Sequence, residues 1–118
     1  MEESKIVVVD DHPLMRQGII QLLALEESFK VVGEASNGQD ALSVVLEQDP
    51  DVVLMDLNMK GMDGIESLKL LRENDVDAKI LMFTVSDENE DVISALRSGA
   101  DGYLLKDMEP EALLDGLR

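Results

Sequence analysis

Five short apolar runs, each followed by a segment of helical period, dictate most of what this chain can become. The runs are Lys5–Val9, Lys30–Gly33, Asp51–Met55, Lys79–Phe83 and Gly102–Leu105. The first, third and fourth are continuously apolar rather than alternating, the pattern of strands covered on both faces. Between the runs, apolar residues recur at helical spacing. Leu14/Met15, Gly18/Ile19 and Leu22/Leu23 form one stripe, Leu42, Val45 and Leu46 a second, and Ile65, Leu68, Leu70 and Leu71 a third. Val92, Ala95 and Leu96 continue the series, then Leu113, Leu114 and Leu117. The punctuation agrees. Pro13 suits a first helical turn, Ser36-Asn37-Gly38 a helix start, Asp63 with Glu66 a capping box, and Gly99 the position just past a helix end.

Strand–helix alternation repeated five times predicts an α/β fold, a doubly wound five-stranded parallel sheet with helices on both faces. Right-handed crossovers leave few topologies, and the flavodoxin-like order 2-1-3-4-5 is the expected one at this length. One such domain takes up all 118 residues. The chain stops at Arg118, part-way along the last helix. The expected organisation is therefore a single domain over 1–118 with its last helix truncated, cut from a longer protein whose output domain is absent from these residues.

Composition narrows the function. The chain has no Cys, which excludes a disulfide scaffold, a thiolate zinc site and a cysteine nucleophile. Ten Lys and Arg against 26 Asp and Glu give a net charge of −16. Phosphate backbones and anionic lipid repel such a surface, so neither direct nucleic-acid contact nor membrane association is expected. No apolar run approaches the roughly 18 residues of a membrane span, and Met1–Lys5 has no signal-peptide character, so a cytoplasmic domain is expected.

In an open α/β sheet, ligands bind beyond the carboxyl ends of the strands. Those ends carry Asp10-Asp11, Asp56, Thr84 and Lys106. Neighbouring strands lie about 4.8 Å apart, so residues ending them can surround one small ligand. Three carboxylates in one place repel each other, and a hard divalent cation such as Mg²⁺ relieves that repulsion. Asp56 can then act as an oxygen nucleophile on phosphorus, giving an acyl phosphate. Mg²⁺ and the Lys106 ammonium would neutralise the transferring oxygens, and the Thr84 hydroxyl would donate a hydrogen bond to one of them. Asn58 matters for what it lacks. An aspartyl phosphatase of Asp-x-Asp type has a carboxyl there to activate water; the amide of Asp56-Leu57-Asn58 cannot, which favours a persistent phosphoryl group and a switch over a hydrolase.

These residues resemble the receiver domain of two-component response regulators over essentially the whole chain. Asp10-Asp11, the segment from Asp56 to Gly64, Thr84, Tyr103 and Lys106 carry the resemblance. Asp10-Asp11-His12-Pro13 with Gly33–Gly38 is similar to regulators with a LuxR-type helix-turn-helix output, and Gly33–Gly38, Asp56–Met59 and Ala100–Pro110 most resemble the nitrate/nitrite (NarL/NarP) type. The resemblance implies that Asp56 accepts a phosphoryl group from a phosphohistidine of a sensor histidine kinase. It implies Mg²⁺ held by Asp11, Asp56 and the Asn58 carbonyl, with Asp10 binding directly or through water. It also implies Lys106 paired with the phosphoryl group, and Thr84 and Tyr103 as the switch residues that alter the surface of the fourth helix, fifth strand and fifth helix. A covalently linked DNA-binding domain that controls transcription, and homodimerisation on activation, complete the expectation. The chain departs from the family pattern at Lys60, Val85 and Asp107. The branched Val85 beside Thr84 is expected to slow loss of the phosphoryl group.

Rival readings fare less well. A receiver of another LuxR-type regulator shares the same chemistry. A flavodoxin-like binding module without phosphorylation would want aromatic rings for a flavin, and aromatic residues make up 3% of the chain. Nucleotide-binding glycine motifs are absent. His12, the one histidine, reads as a loop residue before Pro13, and the acidic run Asp87–Asp91 as a solvated helix start.

Overall fold

A computed structural model describes residues 4–56, 64–84, 93, 94 and 96–105; of Phe83, Thr84, Leu104 and Leu105 it describes the backbone. The strands are β1 (Ser4–Val9), β2 (Phe29–Ala35), β3 (Val52–Asp56), β4 (Lys79–Thr84) and β5 (Gly102–Leu105). They pair in parallel in the order β2-β1-β3-β4-β5, the flavodoxin-like order expected from the sequence. The helices are α1 (Pro13–Ala24), α2 (Gly38–Gln48) and α3 (Gly64–Glu73). Residues 93, 94, 96 and 97 are also helical, and Gly99 follows them at φ 113, a conformation that disfavours a Cβ.

The alternation of side chains along each strand sorts the core into two layers. Val7, Val9, Val53, Met55, Ile80 and Met82 point to one face, where Ala41 and Val45 of α2 and Leu68 and Leu71 of α3 cover them. Ile6, Val8, Val52 and Leu54 point to the other, against Ile19 and Leu23 of α1. Ile6, Val7, Val53, Met55, Ile80 and Met82 are wholly buried. Each such side chain contributes about 1.5–3 kcal/mol relative to exposure.

The helical stripes needed correction. Leu14 is 91% exposed and Met15 38%, so the buried stripe of α1 starts only at Ile19. Leu46 of α2 and Leu96 also face outward, while the smaller Ala41, absent from the expected stripe, is fully buried. Helix starts follow the expected signals. Pro13 occupies the first turn of α1, and Asn37 caps α2 by accepting the Asp40 N–H at 2.8 Å. Asp63 and the last helix lie outside the described residues.

Gly33 lets α2 lie close to β2. A Cβ built there would sit 2.5 Å from Val44 Cγ1. Val44 is β-branched and stiff at χ1 within its helix, so it yields poorly. Gly33→Val is expected to destabilise the domain by about 1–3 kcal/mol, read as a lower urea midpoint at unchanged slope.

Candidate metal centre

The candidate site lies past the carboxyl ends of β1 and β3. Asp56 is the last residue of β3, paired across to Phe83 of β4, and is 1% exposed. Asp10 directly follows β1 and is also 1% exposed. Its backbone N–H donates to the Ala35 carbonyl at 3.0 Å, extending the β1–β2 ladder by one step. Its Oδ1 accepts the backbone N–H of His12 at 2.8 Å, which turns the chain sharply toward α1. Asp11 keeps 13% of its side chain exposed.

Arg16, on the first turns of α1, braces this turn. Nη1 donates to the Asp10 carbonyl at 2.7 Å and Nε to Glu34 Oε1 at 2.8 Å. The Glu34 end is 43% exposed, so its ion pair contributes little; the bond to the carbonyl fixes the loop.

Asp10, Asp11, His12 and Asp56 each present one ligand atom, all within 4.8 Å of one another. Three of these donors are carboxylate oxygens, the chemistry a hard divalent cation takes, so the residues fit Mg²⁺. His12 is the unexpected member. Its Nδ1 lies 2.9 Å from Asp11 Oδ1, 3.2 Å from Asp10 Oδ1 and 3.7 Å from Asp56 Oδ2. Its only signal in the sequence was a place between an acidic pair and a proline, which loop residues share. Arg16 gave no signal either, because its acceptors come from the strand ends.

The other expected site residues stand as follows. Thr84 ends β4, its backbone paired with Leu105 one step past the Asp56–Phe83 pair. Tyr103 lies on β5 opposite Met82 and is 44% exposed. Asn58, Lys60, Val85, Asp87–Asp91, Lys106 and Asp107 lie outside the described residues. Among the described residues, no helix is long and apolar enough to cross a membrane.

Residues 6–118 match the response regulator receiver domain family. The chain is 50% identical over 117 residues to a nitrate/nitrite response regulator protein homolog of Haemophilus influenzae, covering 99% of this chain and 56% of that protein. It is 51% identical over 116 residues to the nitrate/nitrite response regulator protein NarL of Escherichia coli K12, covering 98% and 54%. Thus the chain spans about half the length of the curated relatives it matches. Among solved structures, a LuxR-family two-component response regulator from Aurantimonas superposes with a TM-score of 0.93 at 34% identity, over 98% of this chain and 83% of that one. With matching sequence, matching strand order and acidic residues gathered at the strand ends, the chain belongs to the response regulator receiver domain family.

Proposed function

We propose that residues 1–118 form a single receiver domain that acts as a phosphorylation-activated signalling switch. The observation that carries this reading is the buried Asp56 carboxylate at the end of a central strand, grouped with two further carboxylates. Asp56 oxygen forms a bond to phosphorus while the phosphorus–nitrogen bond of a kinase phosphohistidine breaks, the imidazole leaving. Asp11, Asp56 and the Asn58 carbonyl would hold Mg²⁺, with Asp10 binding directly or through water. Bound Mg²⁺ supplies charge neutralisation for the transferring oxygens. Lys106 pairs with the acquired phosphoryl group, and Thr84 donates a hydrogen bond to it.

The group adds about −1.5 to −2 charges in an already acidic pocket, so the folded state shifts toward whichever arrangement brings donors to it. Tyr103, half exposed on β5, is the residue through which that shift reaches the surface. The domain is regulatory; its chemistry is confined to assisting its own phosphoryl transfer and slow dephosphorylation. In the full-length protein it controls a linked DNA-binding domain in the cytoplasm, with homodimerisation on activation. The similarity to nitrate/nitrite regulators supports a role in that response. The net charge of −16 supports leaving DNA contact to the linked domain.

The test is incubation with Mg²⁺ and a small phosphodonor, followed by intact mass. One phosphoryl group should be gained with Mg²⁺ and none when a chelator is present; no gain with Mg²⁺ overturns the reading.

A further inference from the structure

We propose that His12 is a metal ligand, making this a mixed nitrogen–oxygen centre that takes a divalent transition ion such as Ni²⁺, Co²⁺ or Zn²⁺ through Nδ1 with Asp10, Asp11 and Asp56. The inference rests on the cation-binding reading above and adds a donor to it. A metal about 2.1 Å from two adjacent octahedral donors holds them about 3 Å apart. His12 Nδ1 stands 2.9 and 3.2 Å from the Asp11 and Asp10 oxygens, the spacing of neighbouring ligands, and 3.7 Å from that of Asp56. Protonated at Nε2, the ring offers a lone pair at this same Nδ1.

The polar contacts of the imidazole are with the cluster itself, Nδ1 standing at hydrogen-bonding distance, 3.2 Å, from Asp10 Oδ1, a contact that a bound ion would replace. His12 is the N-cap residue of α1 but makes no side-chain capping bond, and its side chain is 63% exposed. Its backbone is nonetheless fixed, since its N–H bonds Asp10 Oδ1 and its carbonyl accepts the Arg16 N–H at 2.9 Å. The nitrogen is thus brought to the carboxylates by a braced turn. An imidazole favours nickel, cobalt and zinc, whereas an all-oxygen set favours magnesium and manganese. His12 therefore widens the metals this pocket accepts without being needed for Mg²⁺.

Tag-free protein makes His12 the one imidazole in the sample. Ni²⁺ and Mg²⁺ are titrated by calorimetry into wild type, His12→Asn and Asp56→Asn, and X-ray absorption is recorded at the nickel edge. Asparagine is a favourable N-cap, so His12→Asn retains the helix start. Imidazole scattering is expected in wild type and absent from His12→Asn. Nickel affinity should fall about tenfold or more in His12→Asn, while Mg²⁺ affinity changes by less than about threefold. Asp56→Asn should weaken both ions. Equal nickel affinity in wild type and His12→Asn, or no imidazole scattering in wild type, overturns the proposal. Nickel–imidazole ligation in a protein that fails to bind Mg²⁺ would support this proposal and sink the Mg²⁺ reading, so the two failures are distinguishable.

Discussion

Asp56→Asn is expected to abolish phosphoryl uptake from a small donor, with intact mass unchanged after incubation under conditions where wild type gains one group. The amide matches the carboxylate in shape, so the variant is expected to fold; it lacks the anionic oxygen that, on the proposed function, attacks phosphorus. Asp10 is poorly placed to substitute, since its Oδ1 is already held by the His12 N–H at 2.8 Å. The same variant separates chemistry from folding. The substitution leaves two carboxylates where three now lie together, relieving repulsion, so metal-free stability should equal or exceed wild type. Saturating Mg²⁺ should stabilise wild type by about 1.4 kcal/mol at ten times its dissociation constant, and the variant by less at the same concentration. Denaturant melts with and without Mg²⁺ read both effects. Phosphorylated Asp56→Asn would mean that another side chain is the acceptor.

The largest loss of stability is expected at Arg72, far from the acidic pocket. This residue lies in the last turn of α3 and donates to the Gly99 carbonyl from Nε at 3.0 Å and Nη2 at 2.9 Å. Nη1 donates to the Val76 carbonyl at 2.7 Å and the Ala78 carbonyl at 3.0 Å, and Nη2 also reaches Asp101 at 2.9 Å. One guanidinium therefore ties the end of α3 to the chain entering both β4 and β5. Asp101 is 45% exposed, so the ion pair itself contributes little; the orphaned carbonyls dominate. Arg72→Met keeps the aliphatic stem but removes every donor, and is expected to cost about 2–4 kcal/mol, measured by urea unfolding. Arg72→Lys should recover only part of this, because an ammonium cannot span acceptors that a planar fork reaches together. A loss below about 0.5 kcal/mol, the range of ordinary surface changes, would show that water replaces the fork without penalty.

The strands were legible because a sheet covered on both faces demands unbroken apolar runs, and Lys5–Val9 and Asp51–Met55 have them. The acidic cluster was legible for the same reason: it lies where those runs stop. Helix faces were read less well. Leu14 and Met15 continue the period of α1, yet both are exposed, and the core layer on that face of the sheet takes in Ile19 and Leu23 instead. Periodicity reports a face but not how far along the helix its partner extends. Arg72 and His12 escaped for a different reason. Arg72 looked like any helical arginine because its Gly99 acceptor lies 27 residues away, and His12 gained its meaning only when β3 brought Asp56 alongside.

The clamp formed by Arg72 and Asp101 holds β5 at one end. Asp101 accepts the Ile80 N–H at 2.8 Å through its side chain and donates its own N–H to the Ile80 carbonyl at 2.8 Å, while β5 itself is four residues long and lies at the sheet edge. At its other end β5 pairs through Leu105 with Thr84, so this edge strand joins the Arg72–Asp101 clamp to the strand end that carries Thr84.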